Sequence, residues 1–136
     1  ANAITAKVEV QGTCYISLST NAINFGSIVP TANVPTNKIV TDSDSLGNVA
    51  ASLLVGGTNW TLTSNALVTF GVSNTIWSNT IQTTYAGTAL TGNLVTTGIS
   101  IPPDSSTGNS IYFGLQIPGG TPAGTYVQTI TIENGC

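Results

Sequence analysis

The sequence predicts a single all-β domain, an Ig-like or jelly-roll-like β-sandwich of about 8–10 short strands. Short runs of alternating apolar and polar residues recur along the 136-residue chain, bounded by Gly, Pro, Asn, Asp or Ser. Thr, Val and Ile, which favour pleated strands, are abundant. No stretch repeats apolar residues at helical spacing, so we predict no substantial helix.

The first half of the chain contributes the runs ITAKVEVQ, CYISLS, TNAINFG, NKIVTD and NVAASLLVGG. The first is the most regular, because Ile4, Ala6, Val8 and Val10 share one face of an extended chain. The other runs are shorter, and Gly, Pro and Asp residues separate them. We therefore expect the strand pattern to begin at Ile4.

The second half contributes NWTLTS, LVTFGV, TIWSNTIQTTY, ISIPP, SIYFGLQI and TYVQTITIE. We expect Val68, Phe70 and Val72 to face inward, and weaker alternation to continue through Ile81. Prolines end the ISIPP strand because they cannot donate a ladder hydrogen bond. The turn-rich PGGTPAG separates the last two strands.

The charge content excludes several functions. The chain has 2 Lys and no Arg, 5 acidic residues and no His, so it offers no basic patch for nucleic acid. No apolar run reaches membrane-span length. Without His, the commonest general base and metal ligand are missing. We assign no catalytic, cofactor-binding or metal-binding residue and predict that the protein is not an enzyme.

The stretch DSDSLG is the nearest approach to a metal motif. Asp42, Asp44 and Gly47 match positions one, three and six of a calcium-binding loop. Leucines stand at positions five and twelve, Leu46 and Leu53, where oxygen ligands are needed. We expect a solvated turn here, and the sequence leaves calcium binding at Asp42 and Asp44 open.

The two cysteines predict a disulfide between Cys14 and Cys136, with two buried free thiols as the alternative. A disulfide and few charges favour an exported, extracellular protein. The chain begins ANAIT without Met, as a mature product would after signal-peptide removal, although a truncated chain would look the same.

The only N-x-[ST] sequon is NWT at Asn59. If Trp60 packs in the core, Asn59 and Thr61 point outward from the strand. Asn59 is thus a possible N-glycosylation site. In so Thr-rich a chain, however, the sequon is also expected by chance.

The exposed strand positions are Thr, Ser and Asn, not the Lys residues that commonly guard sheet edges. A chain that assembles through its sheet edges does not need charged residues to prevent pairing with other chains. In donor-strand complementation, an extended segment completes the sheet of a neighbouring subunit. Ile4, Ala6, Val8 and Val10 could serve as such a donor strand, or the run could pair within its own sandwich.

The stretches CYISLSTNAINFGSIVP, GNVAASLLVGGTNWTL and IPGGTPAGTYVQTITIENGC resemble secreted β-sandwich fibre subunits of prokaryotic surfaces. The resemblance is to archaeal threads and bundling pili, and to related bacterial biofilm-matrix fibre proteins. It implies a cell-surface filament of identical subunits, with residues 1–11 as donor strand and 12–136 as sandwich body. The alternative is a monomeric Ig-like secreted domain that binds carbohydrate or a surface protein.

Overall fold

The computed structural model describes residues 3–105 and 107–136, and it is all-β apart from one short 3-10 helix at Val72–Asn74. The eleven strands are β1 (Ser17–Leu18), β2 (Asn33–Ser43), β3 (Ala51–Gly57), β4 (Trp60–Leu62), β5 (Asn65–Phe70), β6 (Thr75–Ser78), β7 (Thr88–Ala89), β8 (Val95–Ile101), β9 (Asn109–Gln116), β10 (Tyr126–Val127) and β11 (Ile130–Gly135). The predicted all-β class is confirmed.

The strands form three antiparallel sheets. The largest has the order β1-β2-β9-β6-β7, and two three-stranded sheets have the orders β10-β4-β5 and β11-β3-β8. The two small sheets share chain segments, since β4 follows β3 and β11 follows β10 after breaks of two residues. Thr58 N–H donates to Thr129 O across these breaks at 3.0 Å. The small sheets therefore adjoin, opposite the large one, as in a sandwich.

The main core lies between the large sheet and the β11-β3-β8 sheet. Val40 and Phe113 face inward from the large sheet, and Leu53, Val55 and Ile101 face them from the other side. All five are buried, as the period-two pattern of their runs predicts. Full burial of each such side chain contributes roughly 1.5–3 kcal/mol. A second, aromatic cluster contains Trp60, Phe70 and Leu115.

The run predicted as the first strand does not form one. Residues 3–13 have no secondary structure and are exposed, although their alternation is the most regular in the chain. Alternation alone does not make a strand, because an isolated extended segment has no ladder partner in water. The first strand is instead β1, which pairs only with Asp42 and Ser43 of β2.

Two further expectations are corrected. The run TIWSNTIQTTY stops being a strand at Ser78, and Ile81 is 65% exposed in the loop that follows. Val72 lies in the 3-10 helix and is half-buried, although Phe70 just before it is buried as predicted. In both places a turn interrupts the alternation of apolar and polar residues. A residue's position in the run therefore no longer predicts whether its side chain faces the core.

Candidate functional site

The N-terminal segment leaves the sandwich as an extended, exposed chain. The exposed fractions of Ile4, Val8 and Val10 are 96%, 84% and 76%. No hydrogen bond joins residues 3–10 to any other part of the described chain. Three such apolar side chains in a segment without hydrogen bonds to the described body are an unusual exposure for a folded protein, and such exposure is typical of interaction surfaces.

Asn48 holds the segment where it meets the body. Its side-chain Nδ2 donates to Gln11 O at 2.9 Å, and its Oδ1 accepts from Thr13 N–H at 2.8 Å. Its own N–H donates to Thr13 O at 3.0 Å. Gly12 passes so close to Val49 that an added Cβ would lie 3.0 Å from the Val49 Cγ1 atom. The extended segment is thus anchored at residues 11–13 and not before.

The predicted disulfide between Cys14 and Cys136 is confirmed, with the two Cα atoms 6.2 Å apart. It joins the start of the body to the residue that follows β11. Asn134 of β11 reinforces the junction, because its Nδ2 donates to Tyr15 O at 2.8 Å and to Asp42 Oδ1 at 2.9 Å. The N-terminal segment and β11 therefore end at the same place, the disulfide.

Asp42 and Asp44 lie beneath this junction, fully buried, so the expected solvated turn is wrong for these two residues. Asp44 Oδ1 accepts from Tyr15 N–H at 2.6 Å. Within the part of the chain that the structure describes, the second carboxylate oxygen of each aspartate has no hydrogen-bond partner. Burial raises the pKa of Asp42 from 3.8 to about 6; the hydrogen bond from Asn134 lowers this pKa, and the Asp44 charge raises it.

The calcium-loop geometry is not formed at DSDSLG. Leu53, at position twelve, is buried in β3, and Leu46, at position five, is 76% exposed. A calcium loop needs an oxygen ligand at position twelve that turns back towards position one. Leu53 instead packs an aliphatic side chain into the main core and offers no oxygen ligand. Asp42 and Asp44 face inward because they continue the alternation of Val40 along β2 and its end.

A cleft opens along the side of the sandwich, between residues 18–30 and the two last strands, β10 and β11; we call it the lateral cleft. It has two lobes, of about 520 Å³ and about 280 Å³. The larger lobe is lined mainly by Ile28, Phe70, Leu115, Ile117, Pro122 and Tyr126. The smaller is lined mainly by Leu18, Val40, Phe113, Gln128, Ile130 and Ile132. The lobes share Ile23, Phe25 and Trp60.

One wall of the lateral cleft is an unpaired sheet edge. β10 pairs with β4 and β11 pairs with β3, and each stands last in its sheet. Within residues 3–105 and 107–136, no strand pairs with the outer side of either one. Backbone N–H and C=O groups on such an edge are available to a further strand.

The middle of the cleft is held by a chain of hydrogen bonds. Trp60 Nε1–H donates to Thr75 Oγ1 at 2.8 Å, and that hydroxyl donates to Gln128 Oε1 at 2.9 Å. Gln128 Nε2 in turn donates to Thr58 O at 2.8 Å. Trp60 also stacks on Phe70 with ring centroids 5.6 Å apart. These contacts fix the indole where the two lobes meet.

Asn59 is exposed immediately before β4, while Trp60 beside it is buried as predicted. Its Oδ1 accepts from Val72 N–H at 2.9 Å. Glycosylation would use the side-chain nitrogen, for which no hydrogen bond is present among the described contacts. A glycan at Asn59 stays a prediction.

Sequence reasoning identified the N-terminal segment but missed the lateral cleft. The residues that line the cleft come from runs far apart in the chain, such as Phe25, Trp60 and Ile130. One signal was available: Tyr126, Gln128, Ile130 and Ile132 alternate along the last strands, so one face of that edge had to meet apolar side chains.

Comparison of the chain with protein-family models, with curated proteins and with solved structures found no match. In the part of the chain that the structure describes, no helix has the length and apolar character needed to span a membrane. Nor do any three His, Cys, Asp or Glu side chains of that part group as a metal site would require. The function must therefore be inferred from the N-terminal segment and the lateral cleft themselves.

Proposed function

We propose that the protein is a structural, non-catalytic subunit of an extracellular filament or pilus that assembles by donor-strand complementation. The N-terminal segment of each subunit inserts into the next one. The observation that carries the proposal is the exposure of Ile4, Val8 and Val10 on one face of a segment that forms no hydrogen bond with the described body. An unpaired sheet edge elsewhere in the same chain supports it, because one chain then carries both halves of a strand-addition contact.

Insertion would bury what is now exposed. Each of the three large side chains would gain roughly 1.5–3 kcal/mol on complete burial. The contact joins two different surfaces, so it propagates from subunit to subunit and does not close after two copies. A surface with only two basic side chains, Lys7 and Lys38, offers little repulsion against such an assembly.

We also propose a location at the cell surface. Disulfides persist in oxidising compartments, and the bond between Cys14 and Cys136 supports export on that ground. The resemblance to prokaryotic surface fibres points the same way. A glycan at Asn59 would face solvent.

Removal of residues 1–11 tests the proposal. We expect the truncated protein to remain folded but monomeric by light scattering, with no fibres in negative-stain micrographs. A peptide of residues 1–11 should bind the truncated protein without restoring fibres. As a matched control, removal of residues 1–3 leaves Ile4 to Val10 intact and should preserve polymerisation. A truncated protein as polymeric as the intact chain would disprove donor-strand assembly.

A monomeric secreted binding domain is the second candidate. The larger lobe, about 520 Å³ with Trp60, Phe70 and Tyr126 in its lining, has the size of a small-molecule pocket. This function predicts monomers at high protein concentration and a saturable change in tryptophan fluorescence with an oligosaccharide panel. Fibres in the native material, together with no fluorescence change, would reject it.

A further inference from the structure

We propose that the lateral cleft is the acceptor site, and that it takes residues 4–10 of a second copy, antiparallel to β10 and β11. The inference rests on the proposed function and adds to it the site, direction and register of the inserted strand.

The edge and the segment have the same length and pattern. Tyr126, Gln128, Ile130 and Ile132 line the cleft, while the residues between them are exposed. In the antiparallel register described below, Ile4 to Val10 runs along the edge from Ile130 to Gly124, which also lines the larger lobe; both stretches cover about 20 Å when extended. A strand laid along this edge alternates in step with it, so its apolar face enters the cleft and its polar face stays in water.

The shape of the cleft selects the register. The two lobes meet at Phe25 and Trp60, whose ring centroids are 6.0 Å apart, at the level of Gln128. Ala6 is the smallest of the four apolar residues in the segment and suits this narrow point. In the antiparallel direction, Val8 and Val10 then fill the larger lobe, and Ile4 alone fills the smaller one.

The direction follows from the anchored end of the segment. Residues 11–15 of the acceptor are held by Asn48 and Asn134, beside the end of β11. A parallel donor would bring its own body to that same end, where the acceptor's segment already leaves. An antiparallel donor brings its body to the Tyr126 end, about 26 Å away along the strand. Incoming and outgoing contacts then lie at opposite ends, as linear growth requires.

Engineered disulfides distinguish the directions. In the antiparallel arrangement, Glu9 of the donor lies beside Thr125 of the acceptor; in a parallel one it lies near Thr131. All three residues are exposed, and none of their side chains makes a hydrogen bond, so cysteines there should leave the fold intact. We expect Glu9→Cys with Thr125→Cys to give a ladder of covalent oligomers on a non-reducing gel after mild oxidation. Glu9→Cys with Thr131→Cys should give none.

The controls are the single variants, which can form covalent dimers but no ladder. A ladder from the Thr131 pair alone would overturn the direction. Fibres without a ladder from either pair would overturn the acceptor site and leave the proposed function standing. A covalent monomer, with the link inside one chain, would mean that the cleft takes its own segment. Absence of both fibres and links would contradict the proposed function itself.

Discussion

The N-terminal segment and β11 have the same kind of sequence and opposite fates. Both alternate apolar with polar residues, and both end at the Cys14–Cys136 disulfide. β11 pairs with β3 from Ile130 to Gly135 and half-buries Ile130 and Ile132, whereas Ile4 is 96% exposed. Alternation gives a segment the capacity to pair, but the topology decides whether the partner belongs to the same chain.

The largest effect on assembly is expected from a substitution at Val8, in the N-terminal segment. Val8→Asp should abolish polymerisation, because an inserted strand would bury an unpaired charge, at a cost of several kcal/mol. The free energy of unfolding of the monomer should change by less than about 0.5 kcal/mol, since Val8 is 84% exposed there. Light scattering and urea titration measure the two effects.

Thr5→Asp is the matched control, three residues from Val8 on the opposite face of the same segment. It should keep polymerisation, because the new carboxylate stays in water. Equal loss of polymer in both variants would mean that the two faces are not distinguished, and the amphipathic interpretation would fail.

A smaller effect is expected from cutting the link between the two regions. The Cys14→Ser, Cys136→Ser double variant opens a covalent loop with a sequence separation of 122 residues. Loop-entropy reasoning predicts a decrease of about 4–5 kcal/mol in the free energy of unfolding. Denaturant titration should show it, and reductant should reproduce it in the wild type but not in the variant. A decrease below about 1 kcal/mol would show that the hydrogen bonds of Asn134 hold the junction without the disulfide.

The smallest effect concerns Asp42, which joins β11 to the large sheet through Asn134. Its pKa of about 6 in the folded protein exceeds the ordinary 3.8, so the folded state binds the proton more tightly. The resulting stabilisation is complete below pH 4 and is lost as the pH rises through 6. We expect the free energy of unfolding to fall by up to roughly 3 kcal/mol over this range.

Asp42→Asn should flatten that pH dependence and raise stability at pH 7, because an amide oxygen can still accept from Asn134. Asp104→Asn, at an exposed carboxylate, should retain the wild-type slope. Denaturant titrations between pH 4 and pH 7 make the measurement. A wild-type slope in the Asp42 variant would assign the pH dependence to another group.

The sequence predicted the paired strands well. The inward faces of β3 and β9, with Leu53, Val55, Ile111 and Phe113, are buried as their alternation required. The disulfide followed from there being only two cysteines. The inward face of a strand depends on the alternation within that strand, and two cysteines allow only one pairing. Both features can therefore be predicted from the sequence.

The missed features depend on which strands become neighbours. The lateral cleft exists because β10 and β11 end their sheets, and no local pattern states where a sheet ends. The burial of Asp42 and Asp44 was not predicted, because the composition of DSDSLG is typical of a solvated turn. Their position in step with Val40 already placed them inward.

The junction at Cys14 also determines how the molecule would respond to tension. A pull on residues 3–13 reaches Cys14 and divides between Tyr15 and Cys136. The first route leads to β1, whose two residue pairs would unzip under a small force. The second leads into β11, which pairs with β3 over six residues. The disulfide thus diverts stress from one of the shortest ladders to one of the longest and makes the body mechanically tougher than its short first strand alone would allow.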